Sequence, residues 1–160
     1  MASSTNKKVV AVRYDREPVA GFVNPSAYLQ PSGIEVLTTA GNLVALPYAE
    51  VKALCFVKDV EPADVWRPNQ AFAARPKAEG LWVRFQFRDG DSIEGLVSAN
   101  LLNLETQGFT LTPPDAGGPT PRIFVPRASL SDVRVLGVIG ASGRGRKPKP
   151  KPVDQLEMFD

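Results

Sequence analysis

The sequence contains no histidine and a single cysteine, Cys55, among its 160 residues. These absences exclude zinc fingers, His-ligated metal sites, Ser-His-Asp and Cys-His catalysis, and disulfide frameworks. No apolar run approaches the roughly 18 residues that would cross a membrane. The first eight residues also lack an apolar stretch after their charges, so we expect a cytoplasmic protein without an export signal and without membrane association.

Charges of the two signs are nearly equal in number, with 19 Lys and Arg against 17 Asp and Glu and a formal net charge of +2. Their distribution is uneven. Residues 1–137 hold 14 basic and 14 acidic side chains, whereas residues 138–160 hold five basic and three acidic ones. The sequence therefore predicts a neutral body followed by a basic tail. No nucleophile–base pair or glycine-rich phosphate loop is visible, so we expect a non-enzyme without a metal or other cofactor.

Apolar and polar residues alternate in two stretches, Val10–Tyr14 and Val83–Phe87. This period of two is typical of half-buried β-strands. Each stretch is followed by a turn and then by an apolar segment with a central glycine, Gly21 or Gly95, and a glycine inside a strand favours a sharp bend. Three further strand-like segments follow in matching order: 33–37 with 108–112, 43–47 with 122–126, and 50–57 with 129–136. We therefore predict an all-β chain built from two copies of a five-stranded module.

A short helical turn is predicted before the last strand of each copy, at Pro47–Val51 and at Pro126–Leu130. This order of strands and turn resembles the Sm-like and SH3-like small β-barrels. Over residues 8–138 the chain is similar to an uncharacterised bacterial family of duplicated Sm-like domains. The similarity rests on two segments, Leu46–Val57 and Val83–Gly90, and on the dipeptide Glu94-Gly95 that follows the second. The resemblance implies a tandem pair of barrels, and it says little about function because small barrels serve many activities.

The resulting domain prediction has four parts: a first barrel at residues 8–58, a connector at 59–79, a second barrel at 80–138 and a disordered tail at 139–160. The connector is rich in proline and in charges of both signs. It also contains Trp66 and Phe72, which are costly to leave in water. We expect these two rings to pin the connector across the barrels.

The tail alternates lysine with proline and is expected to be extended and disordered. It then becomes apolar in the peptide Gln155-Leu156-Glu157-Met158-Phe159, which resembles the peptide that binds the bacterial DNA sliding clamp. The resemblance implies that Gln155 is the polar anchor and that Leu156, Met158 and Phe159 fill a hydrophobic pocket. Met158 stands where leucine is commoner, which is a mild change in volume and shape.

The first functional hypothesis is therefore an adaptor or accessory protein that binds a protein partner, the sliding clamp, through this peptide. In one alternative, the same apolar side chains fold back onto a barrel groove. In a second, the chain is an Sm-like nucleic-acid-binding protein whose tail makes weak, salt-sensitive phosphate contacts. The basic residues concerned are Arg144, Arg146, Lys147, Lys149 and Lys151; a solubilising spacer is the other interpretation of these residues.

A third alternative rests on the spacing of Arg84 and Arg88, which resembles the arginines of the cyclic-dinucleotide-binding PilZ barrels. The downstream segment Gly90–Gly95 departs from the PilZ pattern, and alternation places both arginines on the solvent face. Nearby, Asp89, Asp91 and Glu94 are interpreted as a solvated turn rather than a metal site. Cys55 is interpreted as a buried, inert thiol.

Overall fold

A computed structural model describes residues 6–58, 66–100, 102 and 104–140. These residues form eleven named β-strands and 3₁₀ turns at Tyr48–Glu50 and Arg127–Ser129. The strands are β1 Lys7–Arg13, β2 Val19–Val23, β3 Leu29–Gln30, β4 Gly33–Thr38, β5 Leu43–Leu46, β6 Val51–Phe56, β7 Gly80–Phe87, β8 Ser92–Val97, β9 Gly108–Leu111, β10 Arg122–Pro126 and β11 Leu130–Ile139. The predicted all-β class is confirmed. Within the described ranges, no helix is long and apolar enough to span a membrane.

Both predicted helical turns are present, and each begins directly after a proline. Pro47 and Pro126 hold nearly the same extended conformation, with ψ of 140° and 141° respectively. Proline fits this position because it has no N–H to leave unpaired and its fixed φ directs the chain into the turn. The residue that follows each turn, Val51 or Leu130, is extended again and starts a strand.

The strands form two antiparallel sheets. The first sheet has the order β3-β4-β2-β1-β6-β10-β9, with β5 also paired to β4, and the second has the order β11-β7-β8. The first sheet is curled, and a bridge between Leu96 and Thr112 links β8 to the residue that follows β9. The two-residue strand β3 is an addition to the five strands expected in the first half.

The two predicted halves share the first sheet, because β6 of the first half pairs with β10 of the second. In this pairing Phe56 lies opposite Arg122, Cys55 opposite Ile123 and Leu54 opposite Phe124. The division into two barrels with separate domain boundaries remains a prediction. The pairing shows that the halves are joined by backbone hydrogen bonds as well as by the connector.

Two hydrophobic clusters lie on opposite faces of β1 and β6. Val10 and Cys55 point into a cluster formed with β7–β10, whereas Val9, Leu54 and their neighbours point into a cluster formed with β2–β5. This division follows from the alternation of side chains along a strand. Cys55 is fully buried, and burial raises the pKa of its thiol to about 12, which confirms the interpretation of a buried thiol.

The strand glycines Gly21 and Gly95 allow neighbouring strands to approach closely. A Cβ atom added to Gly21 would collide with the backbone carbonyl of Leu37 on β4, and one added to Gly95 would lie 2.5 Å from Cδ1 of Leu111 on β9. The two obstacles differ, because a backbone carbonyl in a sheet cannot move aside whereas the end of a leucine side chain can.

We predict that Gly21→Ala lowers the free energy of unfolding by about 1–3 kcal/mol, the usual cost of overpacking, and that Gly95→Ala lowers it less. The control is Gly117→Ala, because a Cβ at Gly117 meets no atom within 4 Å. Urea unfolding of the three variants checks the order. A loss for Gly117→Ala as large as that for Gly21→Ala would contradict this account.

Candidate functional site

Lys52 is a buried charge at the junction of the two halves. It lies on β6 and is 7% exposed. Its Nζ donates hydrogen bonds to Asp89, at 2.6 Å, and to Asp91, both on the turn between β7 and β8. The rings of Trp66 and Phe87 lie 5.5 and 5.4 Å from the ammonium group. A buried ammonium is costly unless its charge is paired, so the two carboxylates stabilise Lys52 where it lies.

The pKa values of Lys52 and Asp89 are both shifted in the direction that favours the charged form. Burial opposes the charged form of Lys52, but the hydrogen bonds to Asp89 and Asp91 outweigh it and raise the pKa of Lys52 above its ordinary 10.5. Burial also acts to raise the pKa of Asp89, but the hydrogen bond and positive charge of Lys52, together with backbone N–H donors, outweigh burial and lower the pKa below 3.8. At neutral pH Lys52 is therefore a cation, and a protonated amine is neither a nucleophile nor a general base.

The hydrogen bonds around Lys52 continue to the two 3₁₀ turns through Tyr14, Arg88 and Ser129. The buried hydroxyl of Ser129 donates to the carbonyl of Lys52 at 3.0 Å, and the Tyr14 hydroxyl donates to the Ser129 carbonyl at 3.0 Å. The Arg88 guanidinium lies 4.0 Å from the centre of the Tyr14 ring. It donates to the carbonyls of Ala49 and Ala128, one in each turn, at 2.5 and 3.0 Å. We call Tyr14, Lys52, Arg88, Asp89, Asp91 and Ser129 the junction cluster.

Glu94 on β8 is a second buried charge, with 5% of its surface exposed. Its carboxylate accepts hydrogen bonds from the backbone N–H of Phe72 and from Nε1 of Trp82, both at 3.0 Å, and from Arg84 at 3.1 Å. Burial acts to raise its pKa, but these donors outweigh burial and lower the pKa below 4.5. Glu94 therefore attaches the connector, through Phe72, to the second sheet.

The two connector rings pack against aromatic side chains of β7, and the expectation that they pin the connector across both barrels stays a prediction. Trp66 meets Phe87 edge to face with ring centres 5.4 Å apart, and Phe72 meets Trp82 in the same way at 6.3 Å. Edge-to-face contacts of this kind add stability beyond the area that the rings bury. Both rings lie against β7, so the described part of the connector is held on the second half.

The interpretation as a solvated turn fits Asp89 and Asp91 and is wrong for Glu94. The two aspartates lie on the turn after β7, about one-third exposed, and both pair with Lys52. Glu94 is instead a buried residue of β8 that accepts hydrogen bonds from Arg84 and Trp82. One sequence signal could have indicated that Asp89 and Asp91 pair with a buried cation. This signal is Lys52, a charge inside the otherwise apolar run Val51–Phe56. Arg84 and Arg88 are exposed, as expected from alternation.

An open cleft of about 570 Å³ lies beside the junction of β6, β9 and β10. Tyr28 and Phe56 line it, with ring centres 5.7 Å apart. Burial, with a contribution from the nearby Glu105, raises the pKa of Tyr28 to about 12, so its hydroxyl keeps its proton. Lys7 and Arg122 lie at the same cleft. Apolar rings beside charged groups suit a peptide that carries both apolar and polar side chains.

One protein-family profile, described as a family of unknown function (DUF6982), matches residues 5–137. The chain belongs to this family. The match spans both halves of the structure, from β1 into β11, and stops before the tail. No curated protein and no solved structure matches the chain.

The partner-binding residues predicted from the sequence lie outside the described residues. They are Gln155, Leu156, Met158 and Phe159. The basic residues proposed to contact nucleic acid also lie outside the described residues; they are Arg144, Arg146, Lys147, Lys149 and Lys151. Their roles remain predictions. The junction cluster and the cleft were not predicted, because both depend on contacts between segments far apart in the chain.

We predict that Lys52→Met lowers the free energy of unfolding at neutral pH by about 1–3 kcal/mol, because Asp89 and Asp91 lose a charged hydrogen-bond donor. The difference from the unmodified protein should shrink as pH falls through the lowered pKa of Asp89, since that stabilisation requires the carboxylate. The difference should also shrink as pH rises through the raised pKa of Lys52, since the stabilisation requires the ammonium form of Lys52.

Urea unfolding between acid and alkaline pH measures this difference. The matched control is Lys77→Met, because Lys77 is exposed and an exposed substitution usually changes stability by about 0.5 kcal/mol or less. A Lys52→Met difference that stays constant across the whole pH range would show that packing, and not charge, accounts for the loss.

Proposed function

We propose that the protein is a non-enzymatic adaptor that acts in the cytoplasm and binds the DNA sliding clamp through Gln155–Phe159. The observation that carries the proposal is the peptide itself, a polar glutamine followed by three apolar side chains after a stretch rich in lysine and proline. Gln155 would make the polar contact, and Leu156, Met158 and Phe159 would fill the pocket on the partner.

The position of the peptide favours an adaptor. Strand β11 ends at Ile139, and the lysine–proline stretch separates it from Gln155. An extended chain of this composition rises by about 3.1 Å per residue, which allows a reach of some tens of ångströms. The peptide could therefore bind its partner while the body binds elsewhere.

The charged and nucleophilic groups of the described body support a role in binding rather than catalysis. The junction cluster uses Lys52 and Arg88 to join the two halves. Cys55 is fully buried with a raised pKa, and a buried thiol without a neighbouring cation is inert. Arg84 pairs with Glu94. Since both arginines of the PilZ comparison already have protein partners, we favour the adaptor over a cyclic-dinucleotide receptor.

The cleft supplies a candidate surface for the second partner that an adaptor needs. Leu102 and Leu104 lie at its side and are 91% and 48% exposed. Exposed leucines next to an aromatic-lined cleft are typical of a surface that becomes covered on binding. The same cleft would receive Leu156, Met158 and Phe159 if the tail folded back onto the body.

We predict micromolar binding of the full-length protein to purified sliding clamp, because the entropy of ordering the peptide opposes the burial of its few side chains. Phe159→Ala should weaken binding about 10- to 100-fold, in line with the roughly 1.5–3 kcal/mol gained by burying a large apolar side chain. Gln155→Ala should weaken it as well. Isothermal titration of both variants, with Val153→Ala as the matched tail control, checks this.

Absence of binding at a clamp concentration of about 100 μM, well above the range expected for such a peptide, would overturn the proposal. To test for fold-back, the titration is repeated with Leu102→Lys, which places a charge at the cleft. Tighter clamp binding by this variant would show that the cleft competes for the peptide.

A nucleic-acid role is the second candidate, favoured by the five basic residues of the tail. One variant separates the nucleic-acid role from the adaptor proposal. It replaces the five basic residues by glutamine, at Arg144, Arg146, Lys147, Lys149 and Lys151. In the adaptor proposal, clamp binding without DNA survives this change. If the tail attaches the protein to nucleic acid, the change abolishes DNA binding, and binding by the unmodified protein falls steeply with salt.

A further inference from the structure

Three exposed cations lie at the end of the cleft where β1, β6 and β10 meet. Arg122 is opposite Phe56 in the β6–β10 pairing, and Lys7 and Lys8 begin β1. Lys7 and Arg122 line both the cleft and an adjoining hollow of about 270 Å³, and Lys8 lines the hollow. Among the residues that the structure describes, no carboxylate lies within 4.0 Å of these three cations. We call Lys7, Lys8 and Arg122 the basic rim.

Next to the basic rim the cleft presents apolar side chains that water reaches. Leu102 is almost fully exposed, Leu104 is about half exposed, and Phe109 is half-buried in the lining. Glu105 is the one acidic side chain in the described lining. A ligand that suits this surface combines apolar side chains with negative charge, because it then covers the leucines and pairs with the cations.

The chain itself contains a segment of this composition. Asp154–Asp160 has three acidic residues interleaved with three large apolar ones, and it lies outside the described residues. The stretch before it, Arg144–Lys151, has five cations and no carboxylate. The basic rim therefore repels that stretch and attracts the segment that follows it.

The tail begins beside the cleft. Val138 on β11 pairs with Leu81, and Leu81 pairs with Val97, which lines the cleft. Neighbouring strands lie about 4.8 Å apart, so β11 ends about 10 Å from the wall of the cleft. Residues 140–153 separate β11 from the segment. At about 3.1 Å per residue such a length of chain spans up to about 43 Å, so the segment can reach the cleft of its own copy.

We propose that the cleft binds Asp154–Asp160 of its own chain. The acidic residues of the segment pair with the basic rim, and its three apolar side chains cover Leu102 and Leu104. The docked segment is unavailable to another partner, so the body regulates the peptide that binds the sliding clamp. This regulation rests on the proposed function, whereas the docking does not.

A weak contact is sufficient, because the segment and the cleft belong to one chain. Tethering of this kind gives an effective concentration of about 1 mM. A cleft that binds the segment with a dissociation constant of about 100 μM would then hold it about nine-tenths of the time. Clamp binding would be about tenfold weaker than that of the undocked peptide.

Backbone amide NMR of the full-length protein tests the docking without any clamp present. Leu156→Ser/Phe159→Ser removes two apolar side chains of the segment, and Val153→Ser is the matched control just outside it. The double variant should shift the amide signals of cleft residues such as Phe109 and Arg122 and leave those of β5 unchanged. The control should leave both sets unchanged.

The difference between the double variant and the unmodified protein should survive tenfold dilution, because an intramolecular contact does not depend on protein concentration. Identical cleft signals in these two proteins would overturn the proposal. A difference that disappears on dilution would overturn it as well, since a second copy would then supply the segment.

Charge variants of the cleft test the complementarity. Arg122→Glu should release the segment, so that its cleft signals no longer respond to Leu156→Ser/Phe159→Ser. Glu105→Gln should hold the segment more tightly, because it removes a negative charge from the cleft. Lys77→Glu is the control, an exposed position outside the cleft with the same change of charge. An equal response of the Arg122→Glu and Lys77→Glu proteins would contradict the assigned role of the basic rim.

Titration with purified sliding clamp separates the regulation from the proposed function. Arg122→Glu should bind the clamp about tenfold more tightly than the unmodified protein, as expected for release from a tethered site, and Lys77→Glu should not. Clamp binding of equal strength in all three proteins would overturn the regulation and leave the adaptor proposal intact. If none binds the clamp while the cleft signals respond to the tail substitutions, the adaptor proposal fails and the docking is supported.

Discussion

The structure depends on strand β6, which is paired along both edges and buried on both faces. It pairs with β1 of its own half and with β10 of the other, and all six of its residues are buried. A strand in this position must be apolar on both faces, as Val51–Phe56 nearly is. The exception, Lys52, explains the junction cluster. Its charge requires carboxylates, and these come from the turn of the opposite half, so the charge fixes how the halves meet.

The local elements could be predicted from the sequence because they follow from short-range chemistry. Alternation around Val10 and Val83 indicated strands, and Pro47 and Pro126 preceded the turns that the structure contains. The β6–β10 pairing could not be predicted, because alternation within a strand shows which face is buried and not which strand lies alongside. The roles of Asp89 and Glu94 were missed for the same reason. Each carboxylate is explained by a partner from elsewhere in the chain, Lys52 for Asp89 and the Phe72 N–H for Glu94.

Glu94 shows how one buried charge can order a segment that has no regular structure of its own. The described connector residues make few backbone ladder contacts, although Gln70 bridges to Ile93. Glu94 adds a charged acceptor for the backbone N–H of Phe72 while it binds Trp82 and Arg84. A charged hydrogen bond of this kind is stronger than a neutral one. The connector is thereby held against β7 and β8, close to the aspartates that pair with Lys52.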